Sequence, residues 1–338
     1  MDSLTQIVLG AAVGEAVAGR KMGAKAALWG AVAGTVPDLD VFLRNFYHPF
    51  DAALVHRGFS HSLLFALLAA PVFGWLFFKL YKQRYTLRSW TLLWGLAIVT
   101  HPILDMFTNY GTQFLWPFDF RITFNTVFVI DPLYTVPFMA CLLIALFIKR
   151  DNPKRSKWNN AGIIWSTGYL LWGVVVKLVM LGNTQGYFEQ SKLKTHDPMV
   201  TPMPLTSFYW LMVTQDDTNF YVGYKSLFAS FKSSDIEVIP KNHAILDALQ
   251  WKGKDRTQQL KYITNGYYAV RQSNDTVYCY DLRFGTVTQL TDGKFRQPLM
   301  GYGMIVDKGV VQKSFTLRPG DAFKAVKFGN YIDKVFGK

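Results

Sequence analysis

The chain has 338 residues, 50% of them hydrophobic, 16% aromatic and only 17% charged, with a mean hydropathy of +0.12. This excludes a disordered or collagen-like chain and argues against a single soluble domain, since soluble proteins carry about 25% charged residues. The formal net charge of +13 divides into +7 for residues 1–182 and +6 for residues 183–338, so there is no single basic domain, and two cysteines exclude a disulfide framework.

Two short apolar segments come first, near 4–19 and 24–36, rich in Gly and Ala (Gly10, Ala11, Ala12, Gly14; Gly30, Ala31, Ala33, Gly34). Small residues let helices approach closely in lipid, so this pattern predicts a tight helical hairpin, crossing the bilayer fully or not. A cleavable signal peptide does not fit, because the segment starts with Asp2, lacks a basic leader and contains Glu15. Four longer apolar segments follow at 62–81, 90–107, 127–148 and 161–182, each near the roughly 20 residues that a bilayer core requires. Basic residues cluster at Arg20/Lys21/Lys25, at Lys79/Lys82/Arg84/Arg88 and at Lys149/Arg150/Lys154/Arg155/Lys157. If all six segments cross, these loops share one face, and the excess of Lys and Arg makes it cytoplasmic. The loops at 37–61 and 108–126 and everything beyond 182 then lie outside.

From 183 the sequence changes character. Pro198, Pro202 and Pro204 mark a linker, and period-two stretches follow at Asn219–Tyr224 and Thr276–Leu282. Ser273-Asn274-Asp275 between two such stretches reads as a hairpin turn. Residues 242–262 predict one or two short helices interrupted at Gly253. The expected architecture is an α-helical membrane bundle of about six apolar segments (1–182), then a small α+β extramembrane domain (183–338). No metal or nucleophile motif occurs in the second part, and its scattered charges do not form a nucleic-acid patch.

The chemistry concentrates in the first part, where ionisable groups at membrane depth are costly. PDLD at Pro37–Asp40 places Asp38 and Asp40 two residues apart, on one side of an extended stretch, or at a polar helix end. HRGFSH at His56–His61 offers two imidazoles across a bend permitted by Gly58. Within it Ser60 suits an N-cap for the next span, and Arg57 suits an anionic group such as phosphate. HPILD at His101–Asp105 brings an imidazole and a carboxylate to one helix face, as a metal-ligand pair or as a mutual hydrogen bond in the bundle core. A polar run from Thr108 to Pro117, with Asp131 after it, reads as a substrate mouth or as ordinary loop residues. The proposed orientation gathers Asp38, Asp40, His56, His61, His101 and Asp105 at the outer end of the bundle. Mixed His and Asp ligands suit zinc, with manganese as the alternative, and more than four candidates allow two metals, as phosphoester hydrolysis uses.

At these residues the sequence resembles the YdjM-like family of bacterial inner-membrane proteins, described as membrane-bound metal-dependent hydrolases. The resemblance covers roughly residues 1–150. It rests on DSLTQIVLGAAVGEA at the start, GTVPDLD, HRGFSHS, HPILDMFTNYGTQ and IDPLYTVP. The family is distantly similar to zinc-dependent phospholipase C and the fungal single-strand nucleases. That similarity implies His101 and Asp105 as ligands, together with an Asp of PDLD and a His of HRGFSH. Many members carry His where this chain has Gln6, which implies a metal position lost here, or filled by Asp2 or Glu15.

The expectation is an integral membrane hydrolase acting on a phosphoester, with a lipid phosphoester as the natural candidate, at the outer face, with the bilayer as its surroundings and no nucleic-acid partner. A bound metal would lower the pKa of water toward about 7, and Arg57 would stabilise phosphoryl charge. A metal transporter would need polar groups along a path to the inner face, where only Glu15 and Lys177 offer themselves. A structural membrane protein with an inert cluster is the third reading. A membrane protease is disfavoured, since HExxH is absent and GFSHS only half matches GxSxG.

Overall fold

Asp2 opens the first helix, α1 (Ser3–Met22), by accepting a hydrogen bond from the Thr5 amide, and Gly23 with φ +63° closes it. The chain turns at once into α2 (Ala24–Thr35). The two helices pack with their backbones nearly touching. A Cβ added at Gly10 would run into the Gly30 carbonyl, and one at Gly30 into the Gly10 carbonyl. A 3₁₀ segment (Pro37–Phe46) follows, then α3 (Pro49–Val55), a short 3₁₀ turn (Phe59–His61), α4 (Leu63–Leu80), α5 (Leu87–Met106), α6 (Pro132–Phe147) and the long α7 (Pro153–Glu189). This computed structural model describes residues 1–230, 236–285, 299–317 and 328–338, apart from the side chains of residues 44 and 45.

The chain forms two compact units, Met1–Asn45 with Leu54–Val175, and Phe46–Ala53 with Val176–Lys338. The first unit is helical. Trp90, Leu93, Trp94, Ala97 and Ile98 of α5 pack between the α1–α2 hairpin (Ala18, Met22, Ala26, Ala33) and α4 (Ala66, Ala69, Phe77). On the other side of the hairpin, Val8, Ala11 and Ala12 meet Tyr134, Phe138 and Leu142 of α6 and Tyr169 of α7.

Among the described residues, two helices are long and apolar enough to cross a membrane, Leu63–Leu80 and Pro153–Glu189. The pair Ala24–Thr35 and Pro37–Leu43, bent by 45°, adds a third if it is one broken span. The expected count of about six is therefore not reached by length and composition. Helix α6 has only 16 residues. Helices α1 and α5 have 20 each but fall short in apolarity, and they bury Gln6, Glu15, His101 and Asp105. Outward-facing Leu67, Leu68, Val72 and Trp75 on α4, and Ile164, Leu171 and Trp172 on α7, present the apolar surface that lipid requires.

The second unit is rich in sheet. An antiparallel sheet of order β1-β2-β3-β4 comprises β1 (His196–Pro202), β2 (Tyr209–Gln215), β3 (Asn219–Ser226) and β4 (Glu237–Pro240). A second sheet, of order β5-β9-β8-β7-β6, comprises β5 (Gln250–Trp251), β6 (Tyr268–Ser273), β7 (Thr276–Asp281), β8 (Gly301–Asp307) and β9 (Val310–Leu317). The β6–β7 hairpin pairs Ser273 with Thr276 across Asn274 (φ 50°) and Asp275. Short helices α8 (His243–Asp247), α9 (Thr257–Ile263) and α10 (Phe328–Val335) complete the unit. The expected domain boundary at 182/183 falls inside α7, whose residues from Val176 pack on β1–β3 through Met180, Phe188, Val200, Trp210 and Met212.

Residues Phe46–Ala53, which lie in sequence between the PDLD and HRGFSH motifs, also belong to this second unit. Phe50 is fully buried there, edge-on to Trp251 and Tyr302, and Asp51 binds Arg256 at 2.8 Å and Gln259 at 3.0 Å.

The hairpin contact gives a direct expectation. Gly30→Leu should force α1 and α2 apart and remove the monodisperse, detergent-extracted protein from size-exclusion profiles. A variant that elutes and melts like the wild type would mean that the close approach is not required.

Candidate metal centre

The cluster is assembled from three places. The 3₁₀ segment after α2 supplies Asp38 and Asp40, the bend before α4 supplies His56 and His61, and α5 supplies His101 and Asp105. Four atoms gather in its centre. Asp38 Oδ1 lies 3.3 Å from His61 Nε2 and 3.4 Å from His101 Nε2. Asp105 Oδ2 lies 3.7 Å from His61 Nε2 and 3.8 Å from His101 Nε2. His61, His101 and Asp105 are buried, whereas the Asp38 side chain is 27% exposed and opens the cluster to the exterior.

The other ring nitrogens are engaged elsewhere. His101 Nδ1 meets the Gly34 carbonyl at 2.5 Å. His56 Nδ1 meets Asp40 Oδ1 at 2.7 Å, and His61 Nδ1 lies 3.4 Å from Asp40 Oδ2, which also accepts from Ser60 Oγ at 2.6 Å. Nε2 of His61 and Nε2 of His101 are buried and make no hydrogen bond. Metal-bound imidazoles commonly have this arrangement, one nitrogen held by a carbonyl or carboxylate and the other directed at the ion. The spacing agrees as well, since two ligand atoms at about 2.1 Å from one tetrahedral ion stand about 3.4 Å apart. The donor set thus fits a divalent cation at His61, His101 and Asp105, whose candidate ligand atoms lie within 4.8 Å of one another, with Asp38 beside both Nε2 atoms. His56, His61 and Asp38 also bring one candidate ligand atom each within 4.8 Å of one another.

Several local expectations change. Asp38 and Asp40 sit on a 3₁₀ turn and not on an extended stretch, so they do not share a side. Asp38 faces the Nε2 edge of His61 and Asp40 its Nδ1 edge. The N-cap of α4 is Ser62, which accepts from the Phe65 amide, and Ser60 is spent on Asp40. Arg57 has φ +65° and is buried. Its Nε is 3.3 Å from Asp105 Oδ2, one terminal nitrogen donates to Thr108 Oγ1 at 3.0 Å, and the guanidinium lies over Tyr110. Arg57 therefore holds a carboxylate of the cluster first of all.

Gln6 reaches the cluster too, donating from Nε2 to Asp105 Oδ1 at 3.0 Å and to the His101 carbonyl at 3.3 Å. The Met1 amino group contacts the same Asp105 oxygen. Neither Asp2 nor Glu15 replaces a ligand there, because Asp2 caps α1 and Glu15 pairs with Arg155. Of the polar run, Thr108 and Tyr110 support Arg57. Asp131, which the sequence allows at a substrate mouth or as an ordinary loop residue, caps α6 and accepts from Tyr169 Oη at 2.8 Å. The carbonyl of Gly34 and the hydroxyl of Thr108 are supporting groups that motif spacing alone does not reveal.

The ion pair of Arg57 and Asp105 is testable by itself. Breaking a buried pair costs about 3–5 kcal/mol, because a charge is left uncompensated. Arg57→Leu should lower thermal stability in detergent accordingly, and Asp105→Asn in that background should restore part of the loss. An unchanged melting curve for Arg57→Leu would show that the pair does not hold the cluster together.

Comparison with known proteins places these residues in a family. A curated relative, the uncharacterized protein YfhP of Bacillus subtilis (strain 168), is 30% identical over 162 residues, covering 43% of this chain and 46% of its own length. The chain thus spans about half the length of that relative. No solved structure matches. A family model described as YdjM inner membrane protein matches residues 1–180, more than half of the chain and every residue of the cluster, and the chain belongs to the YdjM inner membrane protein family.

Proposed function

We propose that this membrane protein is a divalent-cation-dependent hydrolase of phosphoesters, with zinc as the preferred ion and manganese as the alternative. The observation that carries this reading is the pair of buried, unbonded Nε2 atoms of His61 and His101, each flanked by Asp38 and Asp105 oxygens. A divalent cation held there supplies Lewis acidity and activation of water, the chemistry that phosphoester cleavage requires.

The chain's own residues have distinct tasks. Asp38, His61, His101 and Asp105 hold the cation. Asp40 orients His56 and His61 through their Nδ1 atoms, and Ser60 fixes Asp40. His56, 36% exposed, stands at the outer edge, where its imidazole can take or return a proton at Nε2 while Asp40 steadies Nδ1. Arg57 steadies Asp105 and adds a fixed positive charge behind it, favourable where phosphoryl oxygens gain charge. The basic loops support an outward-facing site and an extracytoplasmic second unit. A lipid phosphoester is the substrate class that suits a site at headgroup depth.

Purified wild type should retain zinc or manganese by elemental analysis and cleave a phospholipid or simpler phosphoester. His101→Ala and Asp105→Ala should lose metal and hydrolysis together while remaining inserted and monodisperse. Wild-type protein that holds metal but hydrolyses nothing would favour transport, and protein that holds none would leave a structural role.

The orientation has its own test. A reporter fused after Lys338 should be active only if it folds outside the cytoplasm. Activity from a cytosol-restricted reporter would reverse the orientation and turn the site inward.

A further inference from the structure

A second site lies near the other end of α1. From Gln6 at the cluster to Arg20 the helical rise is about 21 Å. There the end of α1, the α6–α7 connection and the first turns of α7 enclose a cavity of ≈ 440 Å³. Arg20, Lys21, Arg150 and Arg155 line it, against Glu15 and Asp151, a net charge of +2.

The charges are not equivalent. Arg155 and Glu15 neutralise each other in a buried two-bond pair, 2.6 and 2.7 Å, and Arg155 also donates to the Ile148 carbonyl at 2.9 Å. Arg150 and Asp151 form an exposed pair at 3.5 Å, of the kind that water largely screens. Lys21 Nζ reaches Ser89 Oγ at 3.3 Å, and Arg20 makes no ion pair among the described residues. Asn159 is buried in the same lining. Its Nδ2 donates to the Ala12 carbonyl at 3.0 Å, while its Oδ1 accepts no hydrogen bond. Basic loops and helix-end cations explain the charge at this end of the bundle. They do not explain a cavity walled by it.

We propose that this cavity binds the phosphate headgroup of an anionic phospholipid such as phosphatidylglycerol. Arg20, Lys21 and Arg150 receive the phosphate. Basic pockets between helices of membrane proteins take such headgroups. The site is independent of the metal cluster and of the side on which either end lies.

Native mass spectrometry of the full chain in nanodiscs of phosphatidylglycerol and phosphatidylcholine tests the assignment. Wild type should retain phosphatidylglycerol selectively. Neutralising one basic residue near a membrane weakens lipid binding by about fivefold, so Arg150→Gln, an exposed change, and the double variant Arg20→Gln/Lys21→Gln should each loosen it by at least that factor. Equal retention of phosphatidylcholine, or unchanged retention by folded Arg150→Gln and Arg20→Gln/Lys21→Gln, would overturn the site. Glycerol 3-phosphate competing as well as the lipid would overturn the lipid assignment in favour of a soluble phosphate ester.

Discussion

Burying a carboxylate or an imidazole among apolar helices is unfavourable unless another group answers it, and the first unit is organised around that constraint. Asp105 is 1% exposed and is met by Arg57, by Gln6 and by the Met1 amino group. His101 is equally buried, with Nδ1 answered by a backbone carbonyl. At the cluster the Nε2 atoms of His61 and His101 make no hydrogen bond, although Asp38 and Asp105 oxygens stand beside them. Two imidazole nitrogens facing two carboxylates are the complement of a cation.

The glycine-backed hairpin has its place in this arrangement. The carbonyl that holds His101 belongs to Gly34, at the end of α2, and Gly34 sits against Gly10 and the Gln6 carbonyl of α1. Bulkier residues would push α2 outward and carry the carbonyl away from the ring. Close packing of small residues is a general way for membrane helices to associate. Here the same packing also sets the tautomer and aim of one imidazole.

Much of this was legible in the sequence because it depends on periodicity. The i, i+4 spacing of His101 and Asp105 survives on α5, and the small residues of the hairpin announce its close contact. Runs of alternating residues likewise foreshadow β3, β6 and β7. Other features depend on tertiary contact and leave no local signal. PDLD suits an extended stretch or a polar helix end, and its 3₁₀ turn divides Asp38 and Asp40 between two edges of one ring. Arg57 looked free to meet an anion, yet Asp105 on a distant helix takes it first. Asp131 looked like a site residue because a carboxylate before Pro132 is equally a helix cap, and only the fold decides between the two. Length and composition mark two to three spans among the described residues where the sequence suggests about six, for a related reason. Apolar content marks a buried helix as readily as a lipid-facing one, and α5 buries its Trp90, Leu93 and Trp94 inside the bundle.

Helix α1 carries polar groups toward both of its ends, and they are handled differently. Near its start, Gln6 joins a cluster whose central nitrogens remain unbonded. Farther along, Glu15 is closed off by the two-bond pair with Arg155. A polar path between them would need ionisable groups on the intervening turns, yet Val8, Gly10, Ala11, Ala12 and Gly14 fill that stretch and are buried. A dry, small-residue segment of this kind resists hydration and charge transfer, because an ion within it would find no partner. The packing that joins α1 to α2 therefore also separates the two polar ends. That separation weighs against a transit route along this helix.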